Sequence, residues 1–314
     1  MQDHQQREKK TKKAEKEKTK KEEMKSYYET ENGKLYCCDN VEYLKSIDDN
    51  TFDLTVTSPP YDNLRNYNGF SWDFEALARE LYRTTKQGGV VVWVVADQTK
   101  DFSESGTSFK QALGFMAAGW NLFDTMIWRK RNYMPGHKER YADEFEYMFV
   151  FSIGKPKTFN PLKTKCITAG RSQKWAKRPH ESKVWAKNGA KYRKTLDYKI
   201  KGNVWEYSTG RGGSTNDRIA LRHPAIFPEK LAADHIISWS NENDIVFDPF
   251  MGSGTTAKMA ERSKRRWIGC EISKEYCDII VERVENERTQ LTLNFTYPPS
   301  AERKGEKRWI QRRQ

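Results

Sequence analysis

The sequence is poor in the patterns that identify secreted, membrane-spanning and metal-binding proteins. Its five cysteines are odd in number, scattered and never spaced as C-x-x-C, so we expect reduced thiols and no disulfide framework or zinc site. Its five histidines form no cluster with the spacing of ligands, and we predict no metal. No segment approaches the ~18 apolar residues of a membrane span, and residues 1–21 lack the apolar core of a secretory signal. We therefore expect a cytoplasmic protein.

The charge of the chain favours a polyanionic partner. Its 314 residues include 56 lysines and arginines against 43 aspartates and glutamates, a net charge of +13. This balance favours nucleic acid over membrane as the partner, although basic proteins of other kinds are common. The length suits one large domain, or one domain that carries an insertion. The charged ends, residues 1–25 and 291–314, are predicted to be tails, the first of them disordered or a solvated helix.

Strand and helix signals alternate from residue 33 onward. The run VVVWVVAD at 90–97 is rich in β-branched residues, as in strands that a sheet buries on both faces. Helical spacing predicts a helix at 73–85, which Gln87-Gly88-Gly89 should end. The alternation predicts an α/β fold with a parallel core. Further strands are expected at 34–39, 52–61, 121–128, 145–152, the start of 244–263 and 265–271, with further helices at 40–47, 108–118, within 223–240 and at 274–287.

The alternation stops between residues 155 and 215. This window holds 16 lysines and arginines but only three acidic residues, an excess equal to the net charge of the whole chain. The aromatic residues Trp185, Tyr192, Tyr198 and Trp205 are interleaved with these cations. Cations for phosphates and aromatic rings for bases are typical of nucleic-acid surfaces, and an inserted module explains so long a segment better than a solvated loop does. We predict nucleic-acid contacts from Arg171, Lys174, Trp175, Lys177, Arg178, Lys183, Lys191, Arg193 and Lys194.

A glycine-rich loop lies between a predicted strand and a predicted helix in FDPFMGSGTT, residues 247–256. Gly252 and Gly254 would let the backbone approach a ligand at the helix N-terminus, although glycines are ordinary at such turns. Glu271 ends the next strand, 19 residues after Gly252, where an acid receives the ribose hydroxyls of nucleotide-type ligands. One G-x-G with no following lysine fits neither a P-loop nor a full dinucleotide fingerprint. A cofactor with an adenosine but no pyrophosphate, S-adenosylmethionine, fits better.

The second unusual segment is TSPPY, residues 57–61, which follows an apolar strand-like run. Two consecutive prolines end a strand, so a surface turn would explain them. They would also hold the backbone still, so that a carbonyl and an aromatic ring point at a flat ligand. The residues of this segment alone leave both explanations open.

Together the two motifs resemble those of the beta group of S-adenosylmethionine-dependent DNA amino-methyltransferases, the cytosine-N4 and adenine-N6 family. That family carries a D/N/S-P-P-Y/F catalytic motif and an F-x-G-x-G cofactor loop, and its beta group places target recognition between them. The match runs from about residue 33 to residue 287. The resemblance implies an α/β, Rossmann-like class I methyltransferase sheet, mostly parallel, with an antiparallel strand near one edge. It also implies a catalytic part (26–154), a basic target-recognition insertion (155–215) and a cofactor-binding part (216–290).

The resemblance implies roles for single residues as well. The Ser58 hydroxyl and the Pro59 carbonyl would accept hydrogen bonds from an exocyclic amine, and Tyr61 would stack on a base drawn out of the duplex. Asp39 would lie near the cofactor's adenine, although capping of the following helix is an alternative explanation. The segment HPAIFPEKL at 223–231 is more loosely similar to the family's methionine-side segment. The catalytic set is Ser58, Pro59, Pro60 and Tyr61, and the cofactor set is Asp39, Asp248, Pro249, Phe250, Gly252, Ser253, Gly254, Thr255 and Glu271.

Several activities remain to be separated. Methylation at carbon 5 of cytosine uses a cysteine nucleophile, usually after proline, and none of the 11 prolines is followed by cysteine. Ser58 favours cytosine-N4, because serine in this position is more frequent in the cytosine enzymes of the family, and adenine-N6 is the alternative. An RNA methyltransferase and an inactive DNA-binding homologue are further alternatives. Double-stranded DNA is the expected partner and a cognate restriction endonuclease a possible one, while the oligomeric state is open.

Overall fold

The computed structural model describes residues 24–61, 72–135, 139–175 and 191–296. The predicted tails lie mostly outside these ranges. Strands and helices alternate as expected along the described chain. The strands are β1 Tyr28–Glu29, β2 Gly33–Cys37, β3 Phe52–Thr57, β4 Thr85–Val95, β5 Thr99–Lys100, β6 Ser103–Glu104, β7 Asn121–Lys130, β8 Phe145–Ser152, β9 Lys163–Lys165, β10 Ser172–Trp175, β11 Lys191–Lys194, β12 Tyr198–Ile200, β13 Val204–Tyr207, β14 Ile245–Asp248 and β15 Arg266–Glu271.

The helices of the described ranges lie on both sides of the main sheet. A 3-10 turn, Ile219–Arg222, precedes the C-terminal group of helices. None of the described helices is both long enough and apolar enough to cross a membrane. The helices are α1 Asn40–Ser46, α2 Phe74–Thr84, α3 Thr107–Ala117, α4 Glu229–Trp239, α5 Thr255–Arg262 and α6 Lys274–Thr296.

Nine of the described strands form one sheet in the order β1-β2-β15-β14-β3-β4-β8-β7-β13. From β2 to β4 the neighbouring strands are parallel. Strand β8 is antiparallel to both β4 and β7, while β13 runs parallel to β7. The expected α/β fold, a mostly parallel sheet with an antiparallel strand near one edge, is therefore confirmed.

The core lies on both faces of this sheet. In β4, Val90, Val92 and Val94 pack in one apolar cluster with α4, α5 and α6, while Val91 and Val95 pack in the other with α1, α2 and α3. Each of these valines is at most 1% exposed. Alternate side chains of a strand point to opposite faces, so a continuous apolar run is what a strand covered on both sides requires.

Some boundaries differ from those predicted. Helix α2 ends at Thr84, and β4 begins at the next residue. Gly88 and Gly89, which were expected to end the helix, lie instead inside β4, close to where its pairing with β3 shifts in register. Helix α6 continues to Thr296, beyond the predicted end at 287. Strand β13 belongs to the main sheet although it lies within the predicted insertion 155–215. The rest of the described insertion contains two small antiparallel ladders, β9 with β12 and β10 with β11.

Candidate functional site: a cleft at the carboxyl ends of the strands

Both sequence motifs lie at one edge of the sheet. Ser58 follows β3, the glycine loop follows β14, and Glu271 ends β15. These strands are parallel neighbours, so their carboxyl ends meet where ligands of open α/β sheets bind. A cleft of ≈ 2310 Å³ opens there and is lined by residues of both motifs. Small-molecule pockets measure roughly 300–1,000 Å³, so this cleft has room for a cofactor and part of a second substrate.

The glycines of the loop are required by its geometry. Gly252 and Gly254 have φ angles of +53° and +79°, in the left-handed region that favours glycine. A Cβ at Gly252 would lie 3.2 Å from the ring of His223, and one at Gly254 would lie 3.0 Å from Ile280. The imidazole of His223 also contacts the ring of Tyr276, with centroids 4.3 Å apart. A larger residue at either position would therefore press on a neighbouring side chain, in a backbone conformation that favours glycine.

Glu271 joins the glycine loop to the adjacent strand. Its carboxylate accepts hydrogen bonds from the backbone N–H of Gly252 at 2.8 Å and of Ser273 at 3.0 Å. Burial raises the pKa of this carboxyl to about 7, although the backbone donors act in the opposite direction. The side chain lines the cleft. It is therefore a buried carboxyl group that lines the cleft and is held by the glycine loop.

Asp248 lies behind the wall of the cleft instead of facing it. One carboxylate oxygen accepts hydrogen bonds from Thr57 Oγ1 at 2.6 Å and from the Phe250 backbone at 3.0 Å. The residue is 1% exposed, and burial raises its pKa to about 6. Gly254 is buried too. The described contacts of Asp248 connect the two motifs, and the residue does not line the cleft as the other predicted cofactor residues after β14 do, Gly254 excepted.

Asp39 and Asn40, which lie shortly after the end of β2, also line the cleft. Asp39 caps α1, its carboxylate accepting from the backbone N–H of Val41 and Glu42 at 2.9 Å each. Asn40 donates to the Pro249 carbonyl at 3.1 Å. The side-chain oxygen of Asn40 and the hydroxyl of Ser214 are buried without a hydrogen-bond partner among the described residues, and both residues line the cleft. Buried polar atoms of this kind usually have partners, so these two fit a polar ligand bound in the cleft.

The remaining predicted cofactor residues also line the cleft. Pro249, Phe250, Ser253 and Thr255 belong to its wall. The ring of Phe250 packs edge-on against Trp72, with centroids 4.9 Å apart. Across the ranges that the structure describes, no group of three or more His, Cys, Asp and Glu side chains could hold a metal ion.

The catalytic motif carries a chain of hydrogen bonds that the sequence analysis did not predict. Ser58 Oγ lies 2.9 Å from the Tyr61 hydroxyl, and that hydroxyl donates to a Glu146 carboxylate oxygen at 2.8 Å. The other oxygen of Glu146 pairs with Lys130 Nζ at 3.0 Å. Glu146 is 8% exposed. Lys130 and Glu146 come from β7 and β8, far from either motif, and a lone Lys and Glu in strands give no sequence signal.

A second missed group lies beneath the glycine loop. Arg283 is fully buried and donates to the Ser253 carbonyl at 2.5 Å, to Asp217 at 2.9 Å and to Glu229 at 2.7 Å. Lys258 bonds to the same two carboxylates. Burial would raise the pKa of Asp217, but the hydrogen bonds and charges of Arg283 and Lys258 hold it below its usual value. The loop is thus fastened to Asp217, in the segment that follows the basic insertion.

The predicted nucleic-acid residues lie partly within the described ranges and partly outside them. Arg171 is exposed, and the β10–β11 ladder places Lys174 opposite Tyr192 and Trp175 opposite Lys191. Arg193 and Lys194 lie in the same ladder, and Tyr198 on β12 is exposed. Outside the described residues lie Lys177, Arg178, Lys183 and Trp185.

Trp205, which the sequence analysis counted among the aromatic residues interleaved with the cations, lies in the core. It is 5% exposed, its ring stacks on the buried His235 at 4.7 Å, and its indole donates to the Gly202 carbonyl at 2.8 Å. Burial lowers the pKa of His235 to about 3, so this histidine is a neutral core residue. The cause is the membership of β13 in the main sheet, which turns Trp205 toward α4.

Comparison with known proteins identifies the family to which this protein belongs. A family model described as DNA methylase, for N6 and N4 enzymes, matches residues 52–282. The chain belongs to this DNA methylase family. The Bacillus amyloliquefaciens protein named orphan methyltransferase M.BamHII is 55% identical over 249 residues, covering 77% of this chain and 92% of the relative. Type II methyltransferase M.BglII from Bacillus subtilis is 29% identical over 268 residues, covering 81% of this chain and 69% of the relative.

Solved structures share the fold of this DNA methylase. PvuII DNA methyltransferase, described as cytosine-N4-specific, superposes with a TM-score of 0.62 at 21% identity, covering 87% of this chain and 96% of that chain. A putative DNA modification methylase from Thermus thermophilus, complexed with S-adenosylmethionine, gives 0.52 at 24% identity, covering 82% of this chain and 95% of that chain. The DNA methylase is a site-specific DNA amino-methyltransferase that uses S-adenosylmethionine.

Arg283 should contribute strongly to the stability of the DNA methylase. We expect Arg283→Met to lower the free energy of unfolding by ~3–5 kcal/mol, because it leaves the partly buried carboxylates of Asp217 and Glu229 short of a partner that is itself fully buried. Arg288→Met is the matched control, since Arg288 pairs with Glu285 at 3.3 Å on the exposed side of the same helix, and it should cost ~0.5 kcal/mol or less. Urea denaturation measures both changes, and equal stability of the two variants would contradict the prediction.

Proposed function

We propose that this DNA methylase transfers the methyl group of S-adenosylmethionine to the exocyclic N4 of a cytosine flipped out of double-stranded DNA. The observation that carries the proposal is the hydrogen-bond chain from Ser58 through Tyr61 to Glu146, in the same cleft as the glycine loop. When bound, S-adenosylmethionine supplies a sulfonium methyl group whose leaving group is a neutral thioether. The residues of the chain must therefore orient the amine and free its lone pair.

The direction of the chain makes Ser58 an acceptor. Glu146, paired with Lys130, presents carboxylate oxygens that only accept hydrogen bonds. Tyr61 gives its single proton to Glu146 and can then only accept from Ser58. The Ser58 proton is used in that bond, so the remaining lone pair of its oxygen faces the substrate. Glu146 and Lys130 are in this view positioning residues.

An acceptor in this place suits an exocyclic amine. The lone pair of the N4 amine is delocalised into the cytosine ring, and hydrogen bonds from its N–H groups to Ser58 Oγ and the Pro59 carbonyl return it to nitrogen. The amine held in this way would present its lone pair to the sulfonium methyl group, and the proton that the amine loses on methylation would leave to solvent. Pro59 and Pro60 keep the carbonyl in place before the substrate arrives, which is electrostatic preorganisation.

Tyr61 would also hold the flipped base. Its hydroxyl donates a hydrogen bond to Glu146 and lies 3.2 Å from the Val94 carbonyl oxygen. The residue also lines the cleft. A ring held in this way offers its face to a flat ligand. Stacking on aromatic side chains is how extruded bases are held in other enzymes.

On the opposite side, the loop residues and Glu271 would hold the cofactor. Gly252 and Ser253 would lie against its methionine part, and Glu271 would accept hydrogen bonds from the ribose hydroxyls. Asp39 and Phe250 would flank the adenine. These assignments rest on the shared cleft, the buried carboxyl of Glu271 and the unpartnered polar atoms of Asn40 and Ser214.

The basic insertion would read the target sequence. Its β10–β11 ladder carries Lys174, Trp175, Lys191, Arg193 and Lys194, and Arg171 precedes it. The insertion is then best bounded at about 155–203, because β13 belongs to the sheet.

Adenine-N6 methylation is the second candidate. Serine as the first residue of the catalytic motif favours cytosine, and the structural neighbour PvuII methyltransferase is described as cytosine-N4-specific. A restriction endonuclease partner receives less support, because the relative M.BamHII is described as an orphan enzyme.

The base assignment is tested by incubating the protein with mixed-sequence duplex DNA and S-adenosylmethionine, followed by nucleoside mass spectrometry. We expect N4-methylcytosine as the product. If the product is N6-methyladenine, the target base is adenine and the cytosine assignment is wrong, while the cofactor and site assignments stand. Neither product on duplex DNA, or a product on RNA alone, would overturn the proposal.

Substitutions in the two motifs should separate catalysis from cofactor binding. We expect Ser58→Ala to lower kcat about 100-fold with cofactor affinity within about twofold, because the lost acceptor faces the base. Gly252→Val should abolish cofactor binding, because its side chain would press on the ring of His223 at a positive φ and so distort the loop. Isothermal titration calorimetry and single-turnover methylation measure the two effects. Equal loss of cofactor affinity in both variants would refute the assignment.

The affinity for S-adenosylmethionine should depend on pH through Glu271. Burial raises the pKa of this carboxyl to about 7, so it is increasingly protonated below that pH. Ribose hydroxyls donate to the ionised form, so the affinity should rise between about pH 6 and pH 7.5, by up to ~tenfold per pH unit on the acid side of the pKa. Calorimetry across this range is the measurement. Glu271→Gln should bind more weakly, with a flatter pH profile, and an identical profile in wild type and variant would count against this role.

A further inference from the structure

A strained hairpin at the cleft exposes an aromatic ring. Strands β5 and β6 pair antiparallel, with Lys100 opposite Ser103, and are joined by the two residues Asp101 and Phe102. Both have positive φ angles, +50° and +62°, as two-residue turns with positive φ at both positions require. Asparagine, aspartate and glycine tolerate this region, but for a bulky residue such as phenylalanine it is an outlier. Phe102 is nevertheless 94% exposed.

Phe102 is thus unfavourable in two respects: its backbone is strained, and its apolar ring is exposed to water. Strained residues of this kind persist where the surrounding structure holds them, and they cluster at functional sites. Glycine would relieve the strain of the turn and remove the exposed apolar surface together. The position of the hairpin indicates what the ring does.

The hairpin stands beside the catalytic motif. It begins at Thr99, four residues after β4 ends, and β4 is the parallel neighbour of β3, which leads to Ser58. Thr99 to Glu104, Lys100 excepted, line the same cleft as the catalytic motif. The ring of Phe102 is therefore exposed at the margin of the cleft that also holds Ser58.

Side-chain contacts make the hairpin stiff. Arg140 donates to the hydroxyl of Thr99, and to the Glu104 carboxylate at 3.1 Å, so it bridges the two strands. At the base of the hairpin, Asp97 accepts hydrogen bonds from Ser105 Oγ at 3.1 Å and from the Ser108 backbone at 2.9 Å. A hairpin held from both ends keeps its tip in place while another molecule presses against it.

We propose that Phe102 enters the DNA duplex beside the target base and fills the stacking space that the base leaves. The inference rests on the proposed function, since it requires a base to be drawn out of a duplex. Apolar wedges such as Phe and Leu enter base steps in other DNA-binding proteins. The extrusion of a base carries a cost of unstacking and unpairing that is lower for a mismatched or damaged site. A rigid ring that replaces the lost stacking offsets that cost.

The test compares Phe102→Gly and Phe102→Leu in single-turnover methylation of a duplex that contains the site mapped with wild-type enzyme. A second duplex carries an abasic position opposite the target base, so that the base is already unpaired. On the normal duplex we expect Phe102→Gly to lose ~10-fold or more and Phe102→Leu to lose ~threefold or less. On the abasic duplex Phe102→Gly should lose ~twofold or less.

Two controls separate a wedge from a structural role. Phe102→Gly should unfold at the same temperature as wild type or a higher one, because glycine relieves the positive φ. Leu113→Ala removes an apolar side chain that is 65% exposed on α3, away from the cleft lining, and should leave both rates unchanged. Fluorescence of 2-aminopurine at the target position should rise on binding of wild type and Phe102→Leu, and less with Phe102→Gly.

Equal losses on the two duplexes, or no loss on either, would overturn the wedge. No loss combined with a change in sedimentation from dimer to monomer would also overturn it and make Phe102 a contact between two copies of the chain. If wild-type protein methylates neither duplex, the proposed function itself has failed. If wild type is active and Phe102→Gly is equally active, only the wedge has failed.

Discussion

One buried hydrogen bond holds the two halves of the site together. Thr57 Oγ1 donates to Asp248 across 191 residues of chain at 2.6 Å, and both residues are at most 1% exposed. The bond exists because β3 and β14 are parallel neighbours, with Val246 opposite Leu54. The residue after Thr57 is Ser58, and the loop after Asp248 contains Gly252. The pairing of two strands therefore sets the distance between Ser58 and the glycine loop across the cleft.

Buried charges fix the loop from below. Arg283 connects the Ser253 carbonyl to Asp217 and Glu229, so the cofactor loop and the segment after the basic insertion share one partner. Burying ions costs desolvation, and a well-packed apolar core is often at least as stable. Such a cluster specifies geometry, because each member is left uncompensated when another moves. The glycine loop and the segment that follows the insertion are therefore held by the same buried guanidinium.

Local preference and tertiary structure agree over most of the chain and disagree at the cleft. The valines of β4 form a strand and are buried as one, and Asp39 caps the helix that follows it. At the cleft, Phe102 has a left-handed backbone, and Glu271 is a buried acid whose pKa burial raises. Natural sequences are consistent across levels except at functional or strained sites. Both of these exceptions line the same cleft.

The sequence by itself determined the α/β alternation, the two motifs and their order, because apolar periodicity, prolines and a G-x-G between strand and helix are local signals. It did not reveal that Val204–Tyr207 joins the sheet and buries Trp205, that Glu146 and Lys130 orient the Tyr61 hydroxyl, or that Arg283 fastens the glycine loop. These facts depend on which strands are neighbours and which way their side chains point. Both follow from packing between segments far apart in the chain, so only the tertiary structure could decide them.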